Sequence, residues 1–188
     1  RQALQRLVDR GLLTRRRGVG TLVSPSHVHR PMELTSLLSD LTDAGHHVST
    51  SITRYEMRAA TQEEAKALGV DEGEVVAHIE RIRYADDEPI AILTNLLPAD
   101  ITPAMQELEN GSLYELMRRR DVVLTSAHQV IGARTASSKE ARLLNESRGA
   151  AVLTARRTTY DPSGRVVEYG DHIYRASRYS FTTTLFSN

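Results

Sequence analysis

The stretch Val75-Val76-Ala77-His78-Ile79-Glu80-Arg81-Ile82-Arg83-Tyr84 constrains the fold of this chain more than any other. It is followed by the acidic turn Ala85-Asp86-Asp87-Glu88-Pro89 and by the apolar run Ile90 to Leu97. Read as a strand, a turn and a returning partner, it predicts an antiparallel hairpin. Side chains of a strand alternate between faces, so Val75, Ala77, Ile79, Arg81 and Arg83 share one, while Val76, His78, Ile82 and Tyr84 take the other. One face therefore runs from apolar to doubly cationic. Two arginines at i and i+2 have origins roughly 6 to 7 Å apart, close enough for both forks to converge on one carboxylate or phosphate. The competing reading is that they pair with acids on a neighbouring strand.

Composition adds limits. A chain of 188 residues with 40% hydrophobic and 26% charged residues has material for one good core and a small appendage. The absence of cysteine excludes disulfides and thiolate chemistry. No apolar run reaches the roughly 20 residues of a membrane helix, and no signal-peptide pattern opens the chain, so a cytoplasmic protein with no membrane partner is expected.

Charge is unevenly distributed. Residues 1 to 30 hold seven arginines against the single acid Asp9, while the rest holds 17 basic and 23 acidic residues. Such asymmetry suits a nucleic-acid-binding end joined to a differently employed domain; a solvated charged surface is the alternative. Ala3, Leu4, Leu7 and Val8 make a helical stripe that Gly11 is suited to stop, and the chain begins inside this helix, so part of a domain is expected in front of Arg1. Leu12 to Arg16 and Val19 to Val23 read as short strands around Arg17-Gly18. A helix followed by a basic hairpin is the back half of a winged helix-turn-helix. Ser24-Pro-Ser-His-Val-His-Arg-Pro31 then reads as an inter-domain linker.

From Leu34 onward short helices alternate with strands in one domain. Helices are predicted over the Leu34, Leu37, Leu38, Leu41 stripe up to Gly45, from the Thr61/Glu64 capping box to Gly69, from Thr102-Pro103 to Gly111, from the Ser112/Glu115 capping box to about Arg120, and from Ser137 through Leu144. Strands are predicted over Val48 to Met57, Val122 to Ala136, Ala150 to Tyr160 and Arg165 to Tyr174, the last two joined by the turn Asp161-Pro-Ser-Gly164. On the last strand Glu168, Gly170, His172 and Tyr174 share a face. His27, His29, His46 and His47 lack carboxylate or cysteine neighbours at ligand spacing and read as surface residues rather than a metal site. No cofactor is implied.

The run from Arg1 through Gly11-Leu12-Leu13 to Arg17-Gly18-Val19-Gly20-Thr21-Leu22-Val23 resembles the end of the GntR-family DNA-binding domain. By that resemblance Arg1 matches a recognition-helix arginine and Arg17 with Gly18 the wing tip, with Arg15 and Gly20 beside it. Guanidiniums neutralise phosphates and enter narrow minor grooves, and glycine lets backbone come close.

The second region resembles the UTRA effector-binding domain of the HutC subgroup of that family. The resemblance rests on the first helix ending at Gly45, on Arg81-Ile-Arg83-Tyr-Ala-Asp-Asp-Glu-Pro89, on Gly111-Ser-Leu-Tyr114, on Asp161-x-x-Gly164-x-x-x-Glu168-Tyr169, and on Tyr174-Arg175 with Arg178-Tyr179. It implies an α+β fold: a truncated winged helix-turn-helix over residues 1–23, a linker over 24–31, and a chorismate-lyase-like UTRA domain over 32–188 with an antiparallel sheet flanked by helices. It also implies a homodimer. In sugar-phosphate-sensing members, positions matching Arg81, Arg83, Ser112, Tyr114, Glu168 and Tyr174 line the effector cavity, with Ser36 a further candidate. The arginines and the helix start at Ser112 would hold an anion, Glu168 would accept from hydroxyls or an amine, and the tyrosines would form a wall with polar tips. A cross-strand ion pair for Glu168, and plain core packing for the tyrosines, are the alternatives.

The resemblance implies a metabolite-responsive regulator, more often a repressor than an activator, with double-stranded operator DNA and a small anionic effector, a sugar phosphate or an organic acid, as partners. Two other readings stay open: a sensor module without DNA binding, and an enzyme related to chorismate lyase. No nucleophile with a base partner supports the enzyme.

Overall fold

The computed structural model describes residues 34 and 36–183, and the backbone of 13–16, 20–23 and 28–31. In chain order the elements are β1 (Leu13–Arg16), β2 (Gly20–Val23), β3 (Val28–Pro31), α1 (Leu37–Asp43), β4 (Val48–Ala59), α2 (Gln62–Leu68), β5 (Val75–Ala85) and β6 (Glu88–Pro98). A one-turn 3-10 helix (Ala99–Ile101) leads to α3 (Met105–Asn110) and α4 (Leu113–Arg118), then β7 (Ser126–Thr135), α5 (Ser138–Leu143), β8 (Ala151–Tyr160), β9 (Val166–Arg175) and β10 (Tyr179–Thr182).

The expected hairpin is the centre of the molecule. β5 and β6 pair antiparallel from Val76 opposite Pro98 to Ala85 opposite Glu88. Asp86 and Asp87 turn the chain with φ of 51° and 64°, the left-handed pair that a two-residue type I′ turn requires and that aspartate tolerates. The Asp86 carboxylate also accepts from the His47 amide at 2.9 Å and meets His46 Nδ1 at 2.6 Å, which ties the turn to the start of β4. Four more strands extend the hairpin into an antiparallel six-stranded sheet of order β4-β5-β6-β9-β8-β7.

Helices cover both faces. On the first, Leu113, Tyr114, Leu116 and Met117 of α4 pack on Ala77, Ile79 and Leu97, and Leu37 and Leu41 of α1 pack on Ala91, Leu93 and Tyr174. On the second, Ala65 and Leu68 of α2 meet Val76 and Leu96, while Ala141 beside Leu144 meets Val152. Leu41 and Leu108 lose all exposure, and burying a side chain of that size contributes on the order of 2 kcal/mol.

Most helix starts follow their capping residues. Ser36 Oγ accepts the Ser39 amide, and Thr61 and Ser137 form reciprocal capping boxes with Glu64 and Glu140. Two sequence expectations are corrected, and one is refined. The Thr102 hydroxyl bonds back to the Pro98 carbonyl at 2.9 Å, closing the 3-10 turn instead of opening a helix, so α3 starts two residues later, where Glu107 accepts the Ala104 amide. The strand expected from Val122 starts at Ser126, because Val122 is drawn into the core beneath α4. The last four residues of the stretch read as a linker form β3, which pairs in parallel with β10 in the register Val28–Tyr179 to Pro31–Thr182. The hairpin expected near the N-terminus is present as β1 opposite β2.

Each edge strand is fastened to a second-face helix by a two-pronged ion pair: Arg58 to Glu64 at 2.7 and 2.6 Å, and Arg134 to Glu140 at 2.7 and 2.9 Å. Those hydrogen bonds, outweighing burial, hold both carboxyls at about 2 against the usual 4.5. A carboxylate with a lowered folded pKa stabilises fully above its unfolded value and loses that contribution as pH falls through the folded one. Stability is therefore expected to fall between pH 4.5 and 2, by up to about 1 kcal/mol per pair given the exposure of the arginines. Urea midpoints measured across that window check this: the Glu64→Gln/Glu140→Gln double variant should show the flatter profile.

Candidate functional site

The register of the sheet gathers polar side chains onto its first face. One cross-strand row runs Ile79, Asn95, Gly170, Arg157, Gln129; the next runs Arg81, Leu93, His172, Ala155; the third runs Arg83, Ala91, Tyr174, Leu153. Arg81 and Arg83 are each only 3% exposed. From these rows Arg81, Arg83, Leu93, Asn95, Arg157, His172 and Tyr174, with Glu168, Ser36, Leu37 and Leu38 at the start of α1 and Leu113 and Tyr114 of α4, line a cavity of about 40 Å³, room for roughly three waters at about 10–15 Å³ each.

A hydrogen-bonded chain runs along the wall. Arg81 Nη2 donates to Asn95 Oδ1 at 2.6 Å, and Asn95 Nδ2 donates to Glu168 Oε1 at 2.6 Å. Glu168 Oε2 accepts from the Thr159 hydroxyl at 2.7 Å and from the Tyr114 hydroxyl at 3.1 Å. Arg157 Nη1 in turn donates to the Tyr114 oxygen at 3.2 Å, and its Nε donates to Gln129 Oε1. Glu168 thus accepts three hydrogen bonds, one on Oε1 and two on Oε2, and touches no guanidinium; His172 Nε2 stands 3.8 Å from Oε1.

The arginines are not saturated. Arg81 Nε and Nη1 and Arg83 Nε are buried with no acceptor in reach, and Arg83 Nη1 meets only the Thr50 hydroxyl. Among the cavity walls three guanidiniums face one carboxylate, an excess of two positive charges before any charge on His172 is counted. Burial lowers Arg81 to about 10 despite the nearby Glu168, and burial with repulsion from Arg81 lowers Arg83 to about 9. Both remain cations at neutral pH. Burial, helped by Glu168, pushes Tyr114 up to about 12, so its hydroxyl keeps its proton.

Beside this cavity lies a larger cleft of about 590 Å³, walled by His47 through Ile52 of β4 and its approach and by Glu109 and Asn110 at the end of α3. The two spaces share Leu38 and Arg83. Ser49, Thr50 and Ser51 make the cleft rich in hydroxyls.

Of the residues expected at an effector site, Arg81, Arg83, Tyr114, Glu168, Tyr174 and Ser36 meet at the cavity. Ser112 is not in its wall: it is buried, and its hydroxyl accepts the Glu115 amide as the cap of α4. Asn95, Thr159 and Arg157 went unnoticed in the sequence, while His172, expected on the face shared by Glu168 and Tyr174, joins the cavity wall. An asparagine inside the apolar run Ile90 to Leu97 was the available signal for the first. Gly170 was another: a Cβ there would sit 2.3 Å from His172 Nε2 and 2.6 Å from Glu168 Oε1, so only glycine lets these side chains converge. Of the residues expected to meet DNA, Arg15 lies in β1 opposite Thr21 and Gly20 in β2 opposite Arg16. Arg1, Arg17 and Gly18 lie outside the described residues.

Comparison with known proteins places this geometry. The UTRA domain family model matches residues 43–180. The HTH-type transcriptional repressor NagR of Bacillus subtilis (strain 168) is 33% identical over 184 residues, which cover 96% of this chain and 76% of that protein. The histidine utilization repressor of Pseudomonas aeruginosa is 31% identical over 168 residues, covering 88% of this chain and 66% of that protein. The crystal structure of PhnF from Mycobacterium smegmatis superposes with a TM-score of 0.87 at 26% identity, covering 100% of this chain and 84% of that one. The sheet, its flanking helices and these relatives agree: the chain belongs to the GntR-family transcription regulators with a UTRA domain, and it is a regulator rather than an enzyme.

Proposed function

We propose that this regulator is a metabolite-responsive repressor in which a small anionic effector binds between Arg81 and Arg83 and changes the affinity of a homodimer for double-stranded operator DNA. The observation that carries the reading is the pair of buried arginines with three N–H-bearing nitrogens lacking an acceptor. A buried donor left unmade costs about 1–3 kcal/mol, more when charged, and an anion seated there supplies the missing acceptors. The cavity admits a group the size of a phosphate or carboxylate, and the body of the ligand would extend past Leu38 and Arg83 into the hydroxyl-lined cleft. An excess of two positive charges favours a dianion, such as a phosphate monoester or phosphonate, over a monocarboxylate.

Residues 1–23, with Arg1, Arg15, Arg17, Gly18 and Gly20, form the part of the DNA-binding head that this chain carries; 24–31 connect it to the effector domain, 32–188. Repression follows the relatives that are named repressors. Acting on an operator places the protein in the cytoplasm, and no helix among the described residues is long and apolar enough to cross a membrane.

Melting temperature measured at constant ionic strength in phosphate, simple phosphate monoesters, acetate and chloride tests the reading. Phosphates should raise it saturably above the chloride value, reaching about 2.7 kcal/mol of stabilisation at a hundred times the dissociation constant. Equal melting in all four would sink the anion site.

A further inference from the structure

We propose that Tyr179 couples the anion cavity to β3, the strand that leads back to the basic N-terminal hairpin. The inference rests on reading the cavity as an effector site. Tyr174 lines the cavity, and its ring stacks on Tyr179 with centroids 4.2 Å apart and planes 14° from parallel. Phe181 stands edge-on to both, at 5.3 and 5.2 Å. Tyr174 and Tyr179 are each 1% exposed. Rings packed this closely do not move independently, because a gap between them forfeits contact energy that neither water nor another side chain replaces.

Tyr179 and Phe181 alternate on one face of β10, and β10 is the sole partner of β3 among the described strands. The ladder between them has four residue pairs, a small element of the kind that is marginal alone and can change its placement at little cost. Only residues 24–27 separate β3 from β2 of the hairpin. The turn feeding β10 is held: Arg175 Nε meets Glu146 Oε1 at 2.6 Å, Arg175 Nη1 meets Glu88 Oε2 at 2.9 Å, and the Ser177 hydroxyl bonds Glu146. A shift of Tyr174 therefore reaches β10 through the ring stack instead of being absorbed by a slack turn. α1, whose first residues line the cavity from the other side, also lies against β3, so two walls of the cavity bear on the same strand.

Hydrogen–deuterium exchange over the segment 28–31, read at the amides of Val28, His29 and Arg30 because Pro31 has none, and measured alongside melting temperature with inorganic phosphate as the probe, tests the coupling on this chain. In the wild type, phosphate should raise the melting temperature and change exchange at 28–31 by about fivefold or more, the lower end of typical coupling between sites. Tyr179→Leu should keep the rise in melting temperature and lose the change at 28–31, and Tyr179→Phe should keep both. If Tyr179→Leu does not fold, Phe181→Leu, which weakens the stack from its edge, should reduce the response at 28–31 in the same way. A wild type that gains stability with no change at 28–31, or a leucine variant with the full change, overturns the coupling and leaves the anion site standing. A wild type whose melting is indifferent to phosphate overturns both.

Discussion

Arg81→Ala should erase the stabilisation by phosphate and leave the ligand-free fold within about 1 kcal/mol of the wild type, because a well-packed fold gains little from a buried ion whose desolvation its partners only partly offset. Arg81 sits in that position. Its one protein hydrogen bond runs to Asn95, its other two nitrogens find no acceptor, and the carboxylate nearest to it, Glu168, already accepts from Asn95, Thr159 and Tyr114. Truncation frees only the Asn95 oxygen, and the space left is polar and can take water. The anion loses far more. Each hydrogen bond to a charged group is worth about 1.5–3 kcal/mol, so losing two weakens binding by at least about a hundredfold. Melting curves with and without phosphate read both quantities at once, and Arg81→Lys separates charge from fork: it should recover part of the affinity, since an ammonium keeps the charge and loses the paired donors. If the alanine variant lost 3 kcal/mol or more without ligand and responded to phosphate as the wild type does, Arg81 would be a structural ion and the site would lie elsewhere.

The sequence disclosed what local rules govern. The β5–β6 hairpin was legible because alternation, an acidic turn and an apolar return occupy one continuous stretch, and the caps at Thr61 and Ser137 because each is settled within four residues. Arg81 and Arg83 stood out for the same reason: two cations on one face of an otherwise apolar strand are a local anomaly. Asn95, Arg157 and Thr159 did not, since what brings them to the arginines is the register of β6 on β9 and of β9 on β8, a property of pairings between distant residues. The β3–β10 ladder joins residues about 150 positions apart, and its first strand sits in a proline- and serine-containing stretch whose composition says linker. Thr102 and Ser112 show a different limit. Both are good capping residues, but the choice of acceptor for Thr102, and the fact that capping α4 turns Ser112 away from the cavity, depend on how the flanking backbone is placed by the sheet.

Glu168→Gln should move stability and affinity in opposite directions. The side chain is fully buried and is the sole carboxylate in a wall with Arg81, Arg83 and Arg157. Glutamine keeps the shape and one acceptor oxygen, and the hydroxyls of Tyr114 and Thr159 can each turn to accept from its new amide, so most of the hydrogen-bonded chain survives. The charge does not. Arg81 would lose the nearby charge that favours its ionised form, and because Glu168 touches no guanidinium the cost should stay below that of breaking a direct buried pair, about 1–3 kcal/mol, a fall of roughly 2–12 °C at about 2–4 °C per kcal/mol for a chain of this size. The same change raises the positive excess around an entering anion, so inorganic phosphate should bind tighter, by about tenfold for every 1.4 kcal/mol gained, and the gap between melting temperatures with and without it should widen. A hydroxyl-bearing ester such as glycerol 3-phosphate adds a discriminating arm. If Glu168 accepts from ligand hydroxyls, as the family resemblance implies, the ester gains less than inorganic phosphate does; if Glu168 acts only by balancing charge, the two gain alike. A variant as stable as the wild type with unchanged phosphate affinity would mean that the cavity's charge is balanced by something other than Glu168, and the dianion reading would fall with it.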